Sequence, residues 1–205
     1  MAFYFDSHAH YDDNRFDADR ETVIAALREA GVRAVMNSAS DLESSRAALA
    51  LAKRYPFFRA SAGVHPHEAR TLDAAALGEV ARLCREPEVV ALGEIGLDYY
   101  YDRSEREVQR KAFRRQLALA RELDLPVVIH SRDAAQDTLE IVREYRPRGV
   151  VHCFSYSAEQ AREYVELGMY LGFTGVVTFP NAKKPLEAAA AVPLDRILIE
   201  TDCPY

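Results

Sequence analysis

Val89-Val90-Ala91-Leu92-Gly93-Glu94 is a short apolar run that stops on an acid, and it reads as a buried strand. The pattern recurs along the chain. Phe3-Tyr4-Phe5 leads to Asp6-Ser7-His8-Ala9-His10, Val127-Val128-Ile129 to His130, Val150-Val151 to His152, and Ile197-Leu198-Ile199 to Glu200-Thr201-Asp202. Each run ends on a side chain that can bind a metal. As parallel strands of one barrel, they would bring these groups to one end, where barrel enzymes keep their chemistry.

Strands are expected over residues 2–8, 33–38, 58–64, 89–94, 126–130, 149–153, 169–173 and 196–201. Helical patterns fill the gaps. Residues 17–30 place Val23, Ile24, Leu27 and Ala30 at helical spacing, with Gly31 as a stop. Ser40-Asp41-Leu42-Glu43, Ser104 with Glu107 and Ser157 with Gln160 are capping-box patterns, and Gly168 is a C-cap candidate. Further helices are expected near 73–86, 133–145 and 184–191. Parallel strands need crossovers of about a dozen residues, usually helical. The simplest fold is therefore α/β, a TIM-like (β/α)8 barrel. A doubly wound open sheet is the alternative, but it would spread the functional strand ends along a line. The sequence stops at Pro204-Tyr205, directly after the eighth strand, so the last helix of a complete barrel is lacking. The expectation is a truncated product, or a partner chain such as a second copy covering the open barrel edge.

The 205 residues show no linker and no composition break, so residues 1–205 are expected to form a single domain. Hydrophobic residues make up 49% and charged residues 28%, as in ordinary globular proteins. No apolar run approaches the roughly 20 residues of a membrane helix, and no signal peptide opens the sequence. A cytoplasmic protein with no membrane association is expected. Cys84, Cys153 and Cys203 are widely spaced and form no CxxC pair. They read as reduced, packed side chains rather than disulfides or zinc thiolates. A net charge of −6 argues against a broad basic surface that coats nucleic acid. Nucleic acid stays open as a substrate, because a metal centre attracts phosphate locally.

His8 and His10 are two apart on a strand and so share a face; together they can hold one ion. Asp6 has the same parity and could orient a ligand. Singly, Glu94, His130 and His152 each have a bland reading, as a paired acid or a core histidine. Jointly with His8, His10 and Asp202, they would have to share one barrel rim by coincidence. The set offers enough ligands for two ions bridged by a carboxylate, an arrangement suited to displacement at phosphorus. His65, in Gly63-Val64-His65-Pro66-His67, and Arg132, after His130-Ser131, could hold a phosphate oxygen or be plain loop polarity. Arg106, Arg110, Lys111, Arg114 and Arg115 read as a solvated helix face. Tyr99-Tyr100-Tyr101 could stack on bases or pack a loop.

Taken in order, several motifs resemble the TatD family of metal-dependent deoxyribonucleases. They are Asp6-Ser7-His8-Ala9-His10, Gly63-Val64-His65-Pro66, Gly93-Glu94-Ile95-Gly96-Leu97-Asp98, Val128-Ile129-His130-Ser131-Arg132, His152-Cys153-Phe154-Ser155 and Glu200-Thr201-Asp202-Cys203-Pro204-Tyr205. The resemblance spans essentially the whole chain. It implies a TIM-like barrel in which His8, His10 and Asp202 belong to one ion, His130 and His152 to another, and Glu94 to both. It also implies Mg2+-dependent DNA hydrolysis, including 3′-to-5′ exonuclease action, with His65 and Arg132 at positions linked to substrate phosphate. Family members usually continue past the Asp-x-Pro-Tyr motif with a basic loop and a closing helix.

The expected function is divalent-metal-dependent hydrolysis of phosphodiester bonds in DNA. Glu94 would fix the spacing of two ions, and Asp202 would accept a proton from the attacking water. An all nitrogen-and-oxygen donor set admits Mg2+ or Mn2+ for activity, with Zn2+ also able to bind. Two alternatives are hydrolysis of another ester or amide, such as deacylation of an aminoacyl nucleic acid, and a truncated chain that binds metal without turnover.

Overall fold

The computed structural model describes residues 3–205. Ala2, within the expected first strand, lies outside the described residues. Eight strands are found among the described residues: β1 (Tyr4–Ala9), β2 (Val32–Asn37), β3 (Phe58–Ala62), β4 (Val89–Asp98), β5 (Val127–Arg132), β6 (Gly149–Val151), β7 (Tyr170–Phe173) and β8 (Ile197–Ile199). Helices α1 (Arg20–Glu29), α2 (Leu42–Arg54), α3 (Ala74–Leu83), α4 (Arg106–Glu122), α5 (Ala135–Tyr145), α6 (Ala158–Glu166) and α7 (Lys183–Ala191) connect them in turn. All neighbours are parallel, and the strand order follows the sequence from β1 to β8. This is the expected (β/α) barrel.

Two apolar layers hold it. The larger lies between strands and helices and contains the fully buried Ile24, Phe58, Phe113, Leu117, Ile129 and Leu139. Each such side chain contributes about 1.5–3 kcal/mol by leaving water. The smaller contains Met36, Ala91, Val128 and Val150. Val128 lies two residues before His130, so strand alternation puts it on the same inward face, below the candidate site.

β1 and β8 stand at the two ends of the sheet order and are joined just past β8. Asp202 N donates to His8 O (2.9 Å), and His10 N donates to Cys203 O (2.8 Å). The buried Asp6 completes the seam: its carboxylate accepts Thr201 N at 2.9 Å and Thr201 Oγ1 at 2.7 Å. Asp6 thus clamps the barrel shut rather than orienting an imidazole. On the outer side of this seam Tyr4, Phe5 and Ile199 are exposed.

Helix termini differ in part from expectation. Ser157 and Gln160 do form a capping box, and Gly31 and Gly168 follow α1 and α6 at positive φ. At α2, Asp41 is the N-cap, paired with Ser44, and not Ser40 with Glu43. At α4, Ser104 caps nothing: the helix follows Glu105, and Ser104 Oγ donates instead to His67 O at 2.9 Å. That hydroxyl ties two site loops together, a demand that overrides the local capping signal. No helix among the described residues is long and apolar enough to cross a membrane.

Candidate metal centre

The strand ends converge on Glu94, which is 3% exposed. Its two carboxylate oxygens face two separate sets of donors. Oε2 lies 3.3 Å from His8 Nε2 and 3.7 Å from His10 Nε2. Oε1 lies 2.9 Å from His130 Nδ1, 2.7 Å from His152 Nε2 and 3.5 Å from His65 Nε2. Asp202 Oδ1 closes the first set, at 3.6 Å from His8 Nε2 and 3.5 Å from His10 Nε2. The structure therefore brings His8, His10, Glu94, His130, His152 and Asp202 to one point, with His65 beside them.

The backbone is built for this convergence. A Cβ on Gly96 would sit 1.9 Å from His130 O, and Gly96 has φ +141, so only glycine lets β4 run this close to β5. Two buried glutamines of α4 fix the loops above. Gln116 bonds both Val64 N (2.8 Å) and Val64 O (2.9 Å), next to His65. Gln109 does the same for Asp98, at 2.8 and 3.0 Å.

Hydrogen bonds assign the lone pairs. His10 Nδ1 donates to Ser38 O at 2.8 Å, which leaves Nε2 bare toward Glu94 and Asp202. His130 Nε2 donates to Asp98 Oδ2 at 3.1 Å, which turns Nδ1 toward Glu94. His65 is the reverse case. Its Nδ1 accepts from His67 N at 3.2 Å, so the neutral ring carries its proton on Nε2 and donates into the cavity. The buried His152 Nδ1 has no hydrogen-bond partner among the described residues; Glu200 Oε1 is 3.8 Å away.

Electrostatics follow from this packing. Burial drives the His8 imidazole down to about 4, with the charge of His152 adding to the effect. Burial and His130 bring His65 to about 4. For Glu94, burial opposes ionisation, but His152, His8 and His65 outweigh it and hold the carboxyl well below the usual carboxylate range. Burial likewise opposes ionisation of Asp202, and His10 and His152 overcome it. Burial pushes the neighbouring Glu200 up to about 7.

This donor set fits divalent ions. Atoms each about 2.1 Å from one ion stand roughly 3–3.5 Å from one another, and the donor atoms here lie between 2.7 and 3.7 Å apart. Groups with all donor atoms within 4.8 Å include His8, His10 and Glu94 on one side and His65, Glu94 and His130 on the other. A cavity of about 390 Å3 opens above, lined among others by His65, His67, Asp98, Tyr101, Arg103 and Arg132.

Two contributors escape a reading by motif. Asp98, 1% exposed, accepts from His130 Nε2 and from His67 Nε2 (3.0 Å), and also holds Tyr100 N and Tyr101 N. Its place at the end of an apolar strand is the signal that could have singled it out. Ser38 touches both His8 and His10, and nothing in its surroundings announces that.

The profile of the family described as TatD related DNase matches residues 5–205. The chain is 41% identical over 204 residues to the uncharacterized metal-dependent hydrolase YabD of Bacillus subtilis, covering 98% of this chain and 80% of that protein. It is 41% identical over 207 residues to the 3′-5′ ssDNA/RNA exonuclease TatD of Cronobacter turicensis, covering 98% and 78%. The crystal structure of YJJV, a TatD homolog from Escherichia coli K12, superposes with a TM-score of 0.92 at 35% identity, covering 98% of this chain and 79% of that one. Fold, donor set and relatives together define a metal-dependent hydrolase built on a parallel barrel. Within that class, the chain belongs to the TatD-related DNase family.

Proposed function

We infer that this protein hydrolyses phosphodiester bonds of single-stranded nucleic acid, DNA first, releasing nucleotides from the 3′ end. The observation that carries this reading is the split of Glu94: one oxygen toward His8 and His10, which Asp202 also approaches, the other toward His130 and His152. A carboxylate shared in this way suits two neighbouring ions, with His8, His10 and Asp202 holding one, His130 and His152 the other, and Glu94 both. Mg2+ or Mn2+ matches oxygen-rich phosphate chemistry, and Zn2+ matches the imidazoles. When bound, such ions supply Lewis acidity and a water acidic enough to attack phosphorus at neutral pH.

The chain's own residues do the rest. Asp202 is held ionised by its histidine neighbours and takes up the proton of the attacking water. His65, neutral with a proton on Nε2, donates to a phosphate oxygen. Arg132 at the cavity wall pairs with a second oxygen and neutralises charge as it develops. Asp98 keeps His130 in the tautomer that presents Nδ1.

A substrate panel tests the reading. With Mg2+, a 3′-labelled single-stranded oligonucleotide should lose nucleotides, and aminoacyl or simple acyl esters should survive. Turnover confined to the acyl esters would transfer the same site to carbonyl chemistry.

A further inference from the structure

Of the three consecutive tyrosines after β4, only one packs. Tyr99 is half-buried and its hydroxyl bonds Asp137 at 2.5 Å. Tyr100 and Tyr101 are 58% and 50% exposed, and Tyr101 lines the cavity over the candidate metal centre. They stand edge to face at 4.9 Å, and the rim of His67 meets Tyr101 at 5.4 Å. The pair is not loosely placed. Asp98 Oδ1 accepts Tyr100 N at 3.0 Å and Tyr101 N at 2.8 Å, while Oδ2 of the same carboxylate accepts from His130. One side chain thus fixes the rings relative to the floor of the site.

Charge points the same way. The guanidinium of Arg132 lies 4.1 Å from the Tyr100 ring centre and 4.9 Å from that of Tyr101, and Arg103 lies 5.6 Å from Tyr101. Among the described residues, neither Arg103 nor Arg132 has a carboxylate partner. Their neighbours do: Arg106 pairs with Asp102 at 2.8 Å, and Arg110 with Asp137 and Glu107. In an acidic protein, two unpaired guanidinium groups beside exposed aromatic rings at a cavity mouth favour a ligand with both anionic and flat parts. At about 390 Å3, the cavity is at the small end of ligand pockets, which run roughly 300–1,000 Å3.

We propose that Tyr101 and Arg103 form a subsite for the nucleotide adjoining the scissile phosphate: the ring of Tyr101 carries its unpaired base, and Arg103 takes its phosphate. The subsite rests on the nuclease reading above and adds the residues that select a single strand. A paired base has its faces occupied within the duplex, so only an unpaired one can lie on the ring.

The test is equilibrium binding, with Mg2+, of a short single-stranded oligonucleotide that has nuclease-resistant phosphorothioate linkages and 2-aminopurine next to its 3′ end. Aminopurine fluorescence is quenched when the base stacks. Wild-type protein should bind and quench. Tyr101→Ala should bind about 10-fold more weakly and lose the quench, while Tyr101→Phe keeps both. Arg103→Gln should keep the quench and flatten the dependence of log affinity on log salt by about 0.7. Wild-type quenching by Tyr101→Ala, with the unmodified strand still cleaved by wild-type protein, overturns the subsite and leaves the nuclease intact. Wild-type protein that neither binds nor cleaves the strand overturns both.

Discussion

His130 Nε2 lies 3.1 Å from Asp98 Oδ2, and this bond turns the other ring nitrogen onto Glu94 Oε1, 2.9 Å away. Asp98 thereby sets the direction of a proposed ligand. Asp98 is ionised for the same reason: burial opposes its charge, but bonds from His130 and His67 hold its carboxyl far below the usual range.

Asp98→Asn tests that role. The amide can accept one bond but brings no charge to fix the imidazole tautomer. Affinity for Mn2+ should fall about 10- to 100-fold, read by calorimetric titration. Far-ultraviolet circular dichroism should stay unchanged. Unaltered Mn2+ affinity would remove Asp98 from the account.

Asp6→Ala tests the seam between β1 and β8. The substitution removes the buried carboxylate that Thr201 N and Oγ1, on an exposed residue, donate to across the seam. The expected loss is about 2–3 kcal/mol, measured as a lower urea midpoint, with a smaller loss for Asp6→Asn, which keeps an acceptor. Equal midpoints for wild type and Asp6→Ala would show that the barrel closes by other means.

Metal binding should depend on pH with a definite sign. Burial opposes protonation of His10, His130 and His152, but the carboxylates Asp202, Asp98 and Glu94 outweigh it and hold each of the three above the ordinary imidazole value. Raised values mean that the rings release protons when an ion takes up their nitrogens. Affinity should therefore rise with pH above the ordinary imidazole value, with proton release visible when calorimetry is repeated in buffers of different ionisation heat. His8, already brought to about 4, adds no slope in this range. A pH-independent affinity would contradict the assignment.

The strand framework was largely legible because buried parallel strands are short continuous apolar runs, as in Val89–Leu92 and Val127–Ile129. That the side chains ending those runs meet at one point followed from barrel closure alone. Finer roles were not legible. Strand parity put Asp6 on the face of His8, but its partner Thr201 is 195 residues away. Ser104 carries a good capping signal, yet His67 O competes for its hydroxyl and wins. Asp98 looked like the tail of a motif; only the fold shows two histidines and two backbone amides arriving at its carboxylate.

The most direct test of the shared carboxylate is Glu94→Ala, assayed for release of nucleotides from a 3′-labelled single-stranded oligonucleotide with Mg2+ and with chelator, alongside Mn2+ titration. The account predicts Mg2+-dependent release by wild-type protein, none with chelator, and loss of both release and tight Mn2+ binding in a variant that remains folded. Release by Glu94→Ala at a rate near that of wild type would contradict it.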